Sequence, residues 1–151
     1  MRSEDPEQIA ARAELLRRAG AVLAAHPEVQ DAYLFGSQAR LQSGSVSDVD
    51  IAVYVDPSAL GRPGFGIAAE LGSDLQAALR RADVDVFILN HAPPLLYHRV
   101  LRDGVRILSR CPTATTTREG RALSRYCDYL PQLRKIEAAH QARIAAGRFG
   151  R

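Results

Sequence analysis

Gly36-Ser37 followed, ten residues on, by Asp48-Val49-Asp50 at the head of an apolar run constrains this chain more than any other feature. Tyr33-Leu34-Phe35 before the pair and Ile51-Ala52-Val53-Tyr54-Val55 after it read as two strands. Successive side chains of a strand point to opposite faces, so Asp48 and Asp50 share one face. Two carboxylates side by side repel unless a cation sits between them. Carboxylate oxygen is what Mg²⁺ prefers, together with water and substrate phosphates. Gly36 permits a tight turn after the first strand, and the amides that follow can cradle phosphate at a helix start. Metal-binding carboxylates opposite a phosphate cradle are what nucleotidyl transfer requires. At average residue usage the four-residue constellation arises by chance in about one chain in several hundred of this length. The bland alternative is a solvated Asp-x-Asp turn beside an ordinary strand-to-helix junction, and the joint spacing disfavours it.

Around this pair the chain reads as alternating helices and strands without repeats. Asp5-Pro6-Glu7-Gln8 carries a helix start, with Asp as N-cap and Pro at the first position. Ile9, Leu16, Ala19 and Leu23 follow at helical spacing, and Pro27 ends the run. Strands are expected at 29–35, 49–55, 84–89 and 105–109, with a short helix beginning at Ser37. Further helices are expected at 68–81 and 93–102, and a loop from 57 to 65. Thr113 to Thr117 reads as a polar linker, with Thr116-x-x-Glu119 capping a long last helix. Pro131 should kink or break that helix, and the chain from Gly147 onward should fray. The expected class is α/β (α+β), a mixed central sheet of about four strands flanked by helices. The expected division is a core over 1–112 and a C-terminal helical extension over 113–151, together one domain.

Asp85 stands in the apolar run Val84 to Leu89. An acid in a strand that should be buried is costly unless it is paired or holds metal. Asp83, two residues earlier, competes for that role and reads better as a strand-entry residue.

At these residues the chain resembles the polymerase-β-type nucleotidyltransferase superfamily, whose signature is Gly-Ser, a spacer, then Asp-x-Asp. The short length and the segments 84–96, 99–108 and 125–133 resemble its minimal nucleotidyltransferase branch. The resemblance covers about residues 30–133 and is specific at 36–50 and 84–94. It implies the fold of that superfamily and two Mg²⁺ ions bridged by Asp48 and Asp50, with Asp85 completing the site of one. It implies ATP as substrate, its β/γ-phosphates held by Ser37, with Gly36 allowing close backbone approach. Arg40, three residues into the expected short helix, stands either as a further phosphate contact or as a surface charge. Two departures are Leu41, where Gly is usual, and Ile88, where many members carry a further Asp. Members of this branch often act as MntA-type antitoxins paired with HEPN-domain toxins.

Composition excludes several other classes. The net charge is +3, yet only Lys135 among the 20 basic residues is lysine, and the arginines are dispersed among acids. With aromatics at 6%, there is little interleaving of rings and cations for stacking bases, so no direct nucleic-acid binding is expected. No Gly-Lys-Ser/Thr is present, which removes a P-loop. No apolar run reaches membrane-spanning length and no signal-peptide pattern opens the chain, so no membrane contact and a cytoplasmic location are expected. Cys111 and Cys127 lack zinc-site spacing and read as isolated thiols. His26, His91, His98 and His140 are scattered, none at metal spacing with another ligand. Tyr126, Tyr129, Leu130 and Leu133 form an apolar stripe on the last helix. Such a stripe is usually core, and the resemblance allows part of it to dock a toxin.

The expectation is an enzyme, a nucleotidyltransferase. It would move AMP from ATP to a protein hydroxyl, a tyrosine of a cognate HEPN ribonuclease. The alternatives are a small-molecule adenylyltransferase of the aminoglycoside-modifying kind and a catalytically idle antitoxin that acts by contact.

Overall fold

The computed structural model describes residues 5–37, 39, 48–61 and 66–147. Arg40, Leu41 and most of the short helix expected from Ser37 lie outside them.

Helix α1 (Pro6–Ala25) opens as its sequence dictates, with the Asp5 side chain accepting from the Glu7 amide and Pro at the first position. Strands β1 (Val29–Phe35) and β2 (Val49–Val55) follow, then α2 (Ile67–Leu79), β3 (Val84–Ile88), α3 (Pro94–Asp103), β4 (Val105–Ser109) and α4 (Pro112–Ala145). Pro57–Ala59 and Leu89–His91 form single 3₁₀ turns. The sheet order is β3-β2-β1-β4, with β2 and β3 parallel and the other pairs antiparallel. It is a mixed four-stranded sheet flanked by helices, as expected.

Alternation along the strands divides the core in two. Ala32, Leu34, Ile51, Val53 and Val84 point to one face, where Ala19 and Leu23 of α1 and Leu71 and Leu75 of α2 cover them. Tyr33, Phe35 and Ala52 point to the other, against Tyr97 and Val100 of α3 and Ala122 of α4. Burying a Leu or Val side chain contributes about 1.5–3 kcal/mol, so these layers fix which face each strand residue takes. Asp50 and Asp85 follow from that choice, standing on the α3/α4 face.

A buried ion pair locks α4 to the sheet. Asp31 is fully buried, and Arg118 donates to its carboxylate through Nε at 2.7 Å and Nη2 at 2.9 Å. The Thr115 hydroxyl donates to the same group.

Three expectations about α4 are overturned: the linker, the Thr116–Glu119 cap and a break at Pro131. No linker spans 113–117: the helix begins at Pro112, whose fixed φ suits a first helical position. The hydroxyls of Thr116 and Thr117 donate to the carbonyls of Pro112 and Thr113, so a polar run that reads as a linker is satisfied within helix. Glu119 caps nothing, because it accepts from Tyr33 at 2.8 Å and from Arg106. Pro131 does not break the helix, which runs through it to Ala145. Tyr126, Tyr129, Leu130 and Leu133 are half-buried, with Tyr126 stacked on His98 at 3.6 Å between ring centroids. Both cysteines are free and exposed. Among the described residues no helix is long and apolar enough to cross a membrane.

Candidate active site

The end of β1 and the starts of β2 and β3 lie side by side at one end of the sheet. In register, Phe35 lies opposite Asp50, and Asp50 opposite Asp85. The chain leaves β1 through Gly36, whose φ of +77° is a conformation that side chains disfavour. Its missing side chain is needed twice over, since a Cβ there would stand 2.5 Å from Asp50 Oδ2. The Gly-Ser turn and the Asp50 carboxylate are therefore in direct apposition. Phe35, which pairs with Asp50 in register, packs edge to face on Phe87 with centroids 5.3 Å apart, so an aromatic floor adjoins the carboxylate's position.

The acids differ in exposure. Asp50 is half-buried, whereas Asp48 and Asp85 are exposed. The exposure of Asp85 corrects the expectation of a buried acid. It lies on the edge strand β3, and its side of that strand is open at this end. The three nevertheless share one field. Burial pushes the Asp50 carboxyl above the usual range, and the charges of Asp85 and then Asp48 push it further in the same direction. Negative charge concentrated this way favours a cation.

Asp83 belongs to a different arrangement. Arg81 donates to it through Nε at 2.8 Å and Nη2 at 2.6 Å, and this pairing holds its carboxyl below the usual range. Its carbonyl accepts from the Val49 amide at 2.9 Å, which ties the entry of β3 to the start of β2. Asp83 thus acts on the site through the backbone and Arg81. Arg81 in turn feels the charge of Asp48 as well as that of Asp83. Two arginines escaped the sequence reading. Arg81 is one, and its place two residues before Asp83 was the available signal. Arg12 is the other: from α1 it donates to the Ala39 carbonyl at 2.9 Å. Nothing local in the sequence marks that 27-residue reach.

Among the described residues no group of three or more His, Cys, Asp or Glu side chains is placed to hold a metal ion by itself. Mg²⁺ seldom uses such a cage, binding through one or two carboxylates, waters and substrate phosphates. The donors that Asp48, Asp50 and Asp85 offer are carboxylate oxygens, the type Mg²⁺ prefers, and Gly36 leaves the half-buried one open to the turn.

Residues 19–113 match the family model described as polymerase beta, nucleotidyltransferase. No curated protein matches. Among solved structures, the chain is similar to a chain of the tri-AMPylated Shewanella oneidensis HEPN toxin in complex with MNT antitoxin. The identity is 23% and the TM-score 0.60, over 89% of this chain and 98% of that one. A toxin–antitoxin crystallised with AMP-PNP matches at 24% identity and a TM-score of 0.55, over 87% of this chain and 96% of that one. A further Shewanella oneidensis structure matches at 21% identity and a TM-score of 0.62, over 85% of this chain and 97% of that one. At these identities the likeness is one of fold.

Proposed function

We propose, for a chain that belongs to the polymerase beta nucleotidyltransferase family, that it transfers AMP from ATP to a tyrosine hydroxyl of a cognate HEPN toxin and so serves as the antitoxin. The observation that carries this reading is the apposition of the Gly36-Ser37 turn to Asp50, itself in the field of Asp48 and Asp85. The acceptor class draws support from the neighbours, one of which holds an AMPylated HEPN toxin and another AMP-PNP.

Asp48 and Asp50 would hold two Mg²⁺ ions between them, with Asp85 completing the site of one. Bound there, the metal supplies charge neutralisation on the attacking and leaving oxygens at the α-phosphorus. The rest falls to the chain itself. Ser37, through its amide and hydroxyl, holds the β/γ-phosphates, and Gly36 lets the triphosphate approach the backbone. Phe35, opposite Asp50 in register, and Phe87 give the carboxylate apolar neighbours on this face of the sheet. Arg81 keeps Asp83 out of the ligand set, and the Val49–Asp83 backbone bond keeps β2 and β3 in register. The exposure of Asp48 and Asp85 leaves the site open to an acceptor that brings its own surface. The core over 1–112 carries this chemistry, and the helical segment 113–151 presents the half-buried stripe around Tyr126 and Leu130 to the partner.

The test is label transfer. ATP labelled at the α-phosphorus, Mg²⁺ and a HEPN protein encoded beside this chain are incubated with it, and the product is digested. Label on a HEPN tyrosine supports the reading. Label confined to an added aminoglycoside, or none on either, would refute it.

A further inference from the structure

We infer that a small cavity between the far end of β2 and α4 is a binding site for a phosphate-class oxyanion, separate from the carboxylate cluster. The cavity holds about 100 Å³ and is lined by Tyr54, Asn90, Tyr97, Arg118, Arg121 and Arg125, with Leu89 and Ala122. Three arginines and no acid face it. Ligand sites for larger molecules run to about 300 Å³ or more, so this one suits a single small ion or a terminal group.

The arginines stand at positions i, i+3 and i+7 of α4, on one face of the helix. Arg118 is spoken for: Asp31 holds its guanidinium, which lies 4.6 Å from the centroid of the Tyr54 ring. Arg121 and Arg125 are exposed and meet no carboxylate among the described residues. Like charges four apart on a helix repel, so this pair costs the free protein stability that an anion between them would return. Ala122 between them is buried on the core, which brings both flanking stems close to the cavity.

A second observation is independent of charge. Tyr97 is only 8% exposed, and its hydroxyl is buried with no hydrogen-bond partner among the described residues. A buried donor left unpaired costs about 1–3 kcal/mol. Burial, with the nearby Asp31 charge, pushes this phenol up to about 12, so it keeps its proton and remains a donor. Asn90 is already used, its side chain donating to the Val55 carbonyl and accepting from the Val55 amide. The unspent donors thus include two planar guanidinium forks and the Tyr97 hydroxyl, a set that matches a tetrahedral oxyanion. Tyr54 lies four residues along β2 from Asp50, about 13 Å at the rise of a strand, so the two sites are distinct.

The test is calorimetric titration and thermal denaturation of the full chain in magnesium-free buffer. The probes are inorganic phosphate and AMP, against chloride at matched ionic strength. Phosphate should bind and raise the melting temperature of the wild type. The Arg121→Gln/Arg125→Gln variant should lose affinity by about tenfold or more, the scale of charge-assisted hydrogen bonds. Tyr97→Phe should be at least as stable as wild type without phosphate and gain less with it. Ser37→Ala should retain the phosphate binding that the Arg121→Gln/Arg125→Gln variant loses. AMP binding as tightly as phosphate identifies a phosphomonoester as the source, and phosphate alone identifies the free ion; either supports the site. Undiminished binding by the double variant, loss in Ser37→Ala instead, an equal effect of chloride, or marked destabilisation of phosphate-free Tyr97→Phe would each overturn it.

Discussion

Gly36→Ala probes the apposition on which the active-site geometry depends. A methyl group at this position meets two costs. The backbone sits at φ +77°, which costs an L-residue about 1–2 kcal/mol. The new Cβ also falls 2.5 Å from Asp50 Oδ2, so the carboxylate must leave its rotamer over the Phe35–Phe87 floor, at about 0.5–1.5 kcal/mol. Together these predict a loss of about 1.5–3.5 kcal/mol, which for a chain of this size lowers the melting temperature by roughly 3–14 °C. Urea denaturation of four proteins separates the two costs: wild type, Gly36→Ala, Asp50→Ala and the double variant. In the Asp50→Ala background the glycine substitution should cost the backbone share alone. Gly61→Ala is the control, because a Cβ there meets nothing within 4 Å and the change should stay within about 0.5 kcal/mol. Nucleotide transfer by Gly36→Ala should fall far more than its stability, since the displaced carboxylate is the half-buried member of the cluster. Equal costs in both backgrounds, or transfer at the wild-type rate, would refute the apposition.

Asp50→Asn should abolish transfer yet stabilise the free protein at neutral pH. The folded-state pKa of Asp50 is raised, so its ionisation destabilises the fold above the ordinary value of 3.8; the variant's advantage should shrink and vanish as pH falls below that value in parallel melts. Asp85→Asn should cut turnover by orders of magnitude while weakening ATP binding modestly, whereas Asp83→Asn, already paired with Arg81, should change turnover little; a side-by-side assay giving the reverse ranking overturns the assignment. Arg118→Met strands the buried Asp31 carboxylate and should cost about 3–5 kcal/mol in urea denaturation. A loss below about 1 kcal/mol would make that pair no stronger than a surface one.

What the sequence made legible was local. Gly36, Asp48 and Asp50 could be read because a tight turn and a strand entry each constrain residues within a few positions. Asp5 and Pro6 marked α1 for the same reason. The four strands were legible from apolar runs bounded by turns. What escaped was non-local. Asp31 looks like an ordinary strand acid until Arg118, 87 residues away, is seen to hold it. Thr113 to Thr117 looks like a linker because back-bonding from a threonine hydroxyl depends on the helix already being present. Asp85 was expected to be buried because an apolar run does not reveal that its strand lies at the edge of the sheet. Arg12 and Arg81 act on backbone and on neighbouring charge, which no motif records.

Toxin silencing by substoichiometric amounts of this chain tests the central claim most directly. A HEPN toxin in tenfold molar excess or more is incubated with the chain, ATP and Mg²⁺, then separated from it, assayed for ribonuclease activity and weighed by intact mass spectrometry. The account predicts a toxin that stays inactive after separation and is heavier by whole AMP increments, with neither change when Asp48→Asn replaces the wild type. Silencing that needs one chain per toxin, ignores ATP, reverses on separation and survives Asp48→Asn would contradict it.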